Sequence, residues 1–128
     1  MSVAYVDSSC LLAIFLGEPG FRDVMLRLSR YDRLLSSSLL EAEVRATLAR
    51  EGIPGNPGSL LAWITWVHPQ WRLTREYRQI LEIKPLRGAD LWHLACALFM
   101  REKLQGLGFL TLDGGQAEAA KALGFQGL

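Results

Sequence analysis

The apolar run VAYV at residues 3–6 passes through one carboxylate, Asp7, straight into SSCLLAIFL, whose composition suits a helix that stops near Gly17. This junction constrains the fold strongly. A strand that feeds a helix without a hairpin reaches a parallel neighbour only by a crossover. Pro19 opens a second helical stretch, GFRDVMLRLSRY, and RLLSS reads as a short strand. In SLLEAEVRATLAREG the residues Leu40, Val44 and Leu48 recur every four positions, Gly52 sits at the expected end, and Ser38 and Glu41 have the spacing of a capping box. The Pro/Gly cluster IPGNPGS is a loop, followed by a predicted apolar helix around Leu60 to Val67 and a predicted strand at QWRLT. A short amphipathic stretch, REYRQILEI, leads to the turn KPLRG. A helix that is apolar on most sides then runs from Ala89 to about Lys103. LGFLTLD is the last strand, Gly114 and Gly115 a turn, and QAEAAKALG a helix ended by Gly124. Strands separated by helices predict an α/β fold, with a central parallel sheet and helices on both faces.

With 128 residues, half of them hydrophobic, and no linker or repeat, the chain is expected to form one domain over residues 1–128. The formal charge of +1 excludes a global field that attracts any polyanion, so such a partner must be held by local groups. Cys10 and Cys96 lie alone in apolar segments, without the spacing of a zinc or redox site, and are expected to be buried free thiols. The N-terminal stretch has no basic region before it and contains Asp7, unlike a signal peptide, and LLAWITWV and LWHLACALFM are too short to span a bilayer. The expectation is a cytoplasmic protein with no membrane partner.

Ligands of open parallel sheets bind beyond the carboxyl ends of the strands, and several acids of this chain fall there. Asp7 and Asp113 end strands, Asp90 begins a helix, and Glu41 and Glu43 lie near the start of another. Each has a structural explanation when taken alone. Asp7 suits a helix N-cap, although Ser8 or Ser9 would serve too; Asp113 suits a turn; and Asp90 suits the positive end of a helix dipole. Periodicity does not choose between Glu41 and Glu43, but Glu41 has a capping role and Glu43 has none. Together these acids predict a site, because clustered carboxylates repel unless a cation neutralises them. Mg²⁺ or Mn²⁺ suits oxygen ligands and keeps positions for water and phosphate, which predicts metal-assisted phosphodiester hydrolysis.

The segments YVDSSCLL, SSSLLEAEVRATLAR, LRGADLWHLACAL and FLTLD followed by AEAAKALGF resemble, in order and spacing, the motifs of a PIN domain of the VapC toxin type. The resemblance implies a three-layer α/β/α sandwich and a Mg²⁺- or Mn²⁺-dependent endoribonuclease. Asp7, Glu43, Asp90 and Asp113 become its acidic metal-site residues, with Ser8 and Thr111 as polar neighbours. It also implies an RNA substrate, a homodimer and inhibition by a small antitoxin protein. Two pairs of residues depart from the family pattern. Leu91 and Trp92 replace smaller or aliphatic residues, which predicts altered packing or substrate access, and Gly114-Gly115 replace charged ones, which predicts a looser turn at Asp113.

His93, three residues after Asp90, is expected to be a packed histidine outside the catalytic set, and His68, before Pro69, to lie in a loop. Trp63 and Trp66 are expected to pack on the core, one helical turn apart. An exposed member of the Trp63, Trp66 and Trp71 cluster would suit an antitoxin or dimer contact better than RNA stacking. Arg45, Arg72, Arg75, Arg78, Lys84 and Arg87 are candidates for positioning phosphates. Two rival readings are a PIN-like binding module that cleaves nothing and a phosphatase with an aspartyl-phosphate at Asp7. The second usually has an Asp two residues after the nucleophile, where this chain has Ser9.

Overall fold

The computed structural model describes residues 1–128. Its strands are β1 (Val3–Val6), β2 (Arg33–Ser36), β3 (Ile64–Trp66) and β4 (Gly108–Leu110). The helices are α1 (Ser8–Leu16), α2 (Phe21–Leu28), α3 (Ser38–Arg50), α4 (Gly58–Leu61), α5 (Thr74–Leu81), α6 (Gly88–Arg101) and α7 (Gly114–Ala122). All strand pairs are parallel, in the order β3-β2-β1-β4. Side chains alternate across β1: Ala4 and Val6 join one apolar cluster with α1, α2, α3 and α4, whereas Tyr5 joins a second with α5, α6 and α7. Leu34 and Leu35 of β2, and Leu110 and Phe109 of β4, divide in the same way. The result is the expected α/β fold, a parallel sheet between two helical layers.

Three local expectations are corrected. Residues 64–66 form a strand where a longer helix was predicted, and residues 70–74 form no strand. The run WITWV is short enough to fit either period, and its pairing with β2, Leu34 to Ile64 and Ser36 to Trp66, decides it. Trp66 therefore packs partly on the core, while Trp63 and Trp71 remain exposed. Gly114 and Gly115 are the first residues of α7 rather than a turn before it.

The capping box is also absent. The N-cap of α3 is Ser37, one residue earlier than Ser38, so the box would need its acid at position 40, which is Leu. Ser37 Oγ instead accepts a hydrogen bond of 2.9 Å from the Trp92 indole, which fastens α6 to the start of α3. Trp92 thus has a packing role.

Parallel strands bring their carboxyl ends to one edge. There Asp7 N donates to Leu110 O at 2.9 Å, and Ser36 Oγ donates to Val6 O at 2.9 Å. The segments that follow β1, β2 and β4 are thereby held side by side.

Candidate metal centre

Asp7 leaves β1 in extended conformation and caps α1, with Oδ2 accepting from Ser9 N at 3.1 Å. Its carboxylate is almost fully buried, and Oδ1 lies 4.0 Å from His93 Nε2. Ser8, expected as a polar neighbour, is the first residue of α1 and is buried. Cys10 is buried too, and burial, helped by the charge on Asp7, pushes its thiol up to about 12, so it supplies no thiolate. Cys96 is the other buried free thiol.

Glu43 projects from α3 toward α6, and its Oε1 lies 2.5 Å from His93 Nε2. Glu41 points elsewhere and pairs with Arg45 at 2.7 Å on the exposed side. His93 is completely buried, and its Nδ1 lies 2.8 Å from the Tyr5 hydroxyl. Donor atoms of Asp7, Glu43 and His93 all fall within 4.8 Å of one another. His93 is packed as expected, but it also belongs to the site, which reasoning from spacing alone did not assign. Its place three residues after Asp90 was the available signal.

Asp90, in the first turn of α6, and Asp113, the N-cap of α7, lie outside that tight trio. Asp90 is nevertheless within its electrostatic reach. Its carboxyl is held above the usual carboxylate range, first by partial burial and then by the charges of Asp7, Asp113 and Glu43, with His93 opposing. No Lys or Arg forms an ion pair with any of these four acids. Of the candidate phosphate-binding cations, Arg45, Arg75 and Lys84 are tied to Glu41, Glu102 and Glu118.

Thr111 and Gln116 fix the β4 side. The Thr111 hydroxyl, with one proton, donates to Gln116 Oε1 at 2.6 Å and accepts from Asp113 N at 3.0 Å. Gln116 is fully buried; its Nε2 donates to Asp90 O at 3.1 Å, and its backbone N–H donates to Asp113 Oδ2 at 2.8 Å. Gln116 therefore connects β4, α6 and α7, a role that its position in a polar-looking helix gave no means of anticipating. Held by Thr111 on one side and Gln116 on the other, Asp113 does not sit in a loosened turn. The Lys84 stem passes Gly115, whose added Cβ would lie 3.2 Å from Lys84 Cε and 3.6 Å from Asp113 Oδ2, although its ammonium pairs with Glu118.

The donor set fits a hard divalent cation. Carboxylate oxygens dominate, no thiolate is present, and repulsion among the acids would be relieved by positive charge. A family model described as PIN domain matches residues 4–122. The chain therefore belongs to the PIN domain family, a family of nucleases. A search of curated proteins gave no match. No helix is long and apolar enough to cross a membrane.

Proposed function

We propose that the protein is a Mg²⁺- or Mn²⁺-dependent endoribonuclease of the VapC toxin type. The observation that carries this reading is the convergence of buried Asp7 with Glu43, inside the field felt by Asp90, with no Lys or Arg paired to these acids or to Asp113. Asp7, Glu43, Asp90 and Asp113 would hold the ion. Bound there, it supplies activation of water and stabilisation of charge on the phosphate. The protein's own part is to fix the carboxylates: Asp7 through the α1 cap, Asp113 through Thr111 and Gln116, and Glu43 through His93. No protein nucleophile is required, which disfavours the aspartyl-phosphate reading. Retention of all four acids disfavours a binding module without catalysis.

The toxin reading rests on the four ordered motifs and includes a homodimer and a small antitoxin. Exposed Trp63 lines an apolar groove of about 420 Å³ with Met25, Leu28, Tyr31 and Leu34, a surface suited to such a protein partner. The decisive experiment incubates pure protein with a mixed RNA pool in Mn²⁺ or Mg²⁺, and then in chelator. Cleavage is expected with either ion and not in chelator. Asp7→Asn should lower it at least about a hundredfold, because ion-borne stabilisation amounts to several kcal/mol. Undiminished cleavage by that variant overturns the assignment.

A further inference from the structure

We propose that Tyr5 and His93 are positioning residues for Glu43: the Tyr5 hydroxyl donates to His93 Nδ1, His93 Nε2–H donates to Glu43 Oε1, and His93 is not a metal ligand. This inference rests on the metal-site reading above and says which of its atoms are free to bind.

Three contacts lead to it. Tyr5 and His93 are fully inaccessible, so each must be satisfied inside the protein. The Tyr5 ring is stacked on Phe109, with centroids 5.7 Å apart and planes 9° apart, which fixes where the hydroxyl points. That hydroxyl meets Nδ1 at 2.8 Å.

On the far side of the imidazole, Glu43 Oε1 is 2.5 Å from Nε2. The Tyr5 hydroxyl spends its one proton on Nδ1, so the ring hydrogen belongs to Nε2, which donates it to Glu43 Oε1. The opposite tautomer would set a nitrogen lone pair against the carboxylate. With Nε2 carrying hydrogen, the nitrogen that faces the acids has no lone pair to offer a cation. Closeness to Asp7 and Glu43 thus reflects a hydrogen bond, in the way that outer groups commonly orient metal-binding carboxylates. Oε1 of Glu43 is engaged, Oε2 remains free, and the ligand set is all oxygen. Such a set favours Mg²⁺ and Mn²⁺ over metals that prefer imidazole.

The test measures Mn²⁺ affinity of the full chain by calorimetry, and the His93 tautomer from imidazole ¹⁵N shifts without metal. The wild-type ring should show a protonated Nε2 and an acceptor Nδ1. His93→Gln, whose amide N–H can replace Nε2–H, should keep Mn²⁺ affinity within about threefold, whereas His93→Leu should weaken it about 10–100-fold. Tyr5→Phe should weaken it about tenfold and alter the tautomer. Equal losses in the Gln and Leu variants, or an unprotonated Nε2 in the wild type, overturn the inference. Should His93→Leu fail to fold, the wild-type tautomer decides alone. Absence of any Mn²⁺ binding by the wild type overturns the metal-site reading together with this one. Absence of RNA cleavage with these Mn²⁺ responses intact overturns only the nuclease reading.

Discussion

Asp7 divides its two oxygens between tasks that a sequence presents as alternatives: Oδ2 caps α1, and Oδ1 faces His93 and Glu43. The tasks separate by substitution. Asn caps a helix as well as Asp, so Asp7→Asn should not lower stability in chelator while abolishing Mn²⁺-induced stabilisation. Asp7→Ala should lose the same response and also about 1 kcal/mol of stability, read by urea unfolding. Asp90 provides a second residue-scale prediction. Its folded-state carboxyl titrates above the ordinary 3.8, so its favourable contribution is present below that pH and is lost as pH rises through the raised value. Asp90→Asn should therefore melt at a higher temperature than wild type in chelator at neutral pH, with the difference closing below about pH 4. A lower melting temperature for the variant at pH 7 would contradict the repulsion inferred here.

Helix starts carry the candidate site, and what fixes them lies partly outside each helix. Ser37, the N-cap of α3, uses its hydroxyl oxygen to accept the indole N–H of Trp92 on α6, a partner 55 residues away, which is why a local capping pattern misleads. The capping pattern favours Glu43 by assigning Glu41 to the cap; Glu41 is instead occupied by its pair with Arg45. On α7, Asp113 and Gln116 form the cap, and Gln116 joins that helix to α6 and β4. Gln116→Leu keeps similar bulk and the backbone N–H that reaches Asp113, but it removes the side-chain bonds to the Thr111 hydroxyl and the Asp90 carbonyl. It should cost about 1–3 kcal/mol in denaturant unfolding and weaken Mn²⁺ binding by loosening Thr111 and the start of α6.

Across the whole molecule, two apolar clusters grip one parallel sheet, and the acids gather at the edge where three of its strands end. An ion bound only by the folded chain must stabilise all of it. At a hundred times its Kd, Mn²⁺ should add about 2.7 kcal/mol, a rise in Tm of roughly 10 °C that chelator reverses. No shift at saturating Mn²⁺ or Mg²⁺ would exclude the metal centre. Periodicity and punctuation determined most of the helices, three strands and the parallel α/β architecture, because apolar spacing and Gly stops are local properties. The positions of Asp7 at the end of its strand and of Asp90 at the start of its helix were legible for the same reason, whereas Asp113, read as ending the last strand, lies beyond Leu110 and caps α7. Tertiary structure alone decided that WITW pairs as a strand, that Ser37 serves Trp92, and that Tyr5, His93 and Glu43 form one hydrogen-bonded line. Those outcomes depend on partners dozens of residues distant, and hydrogen-bond geometry across such separations leaves no periodic trace in the chain.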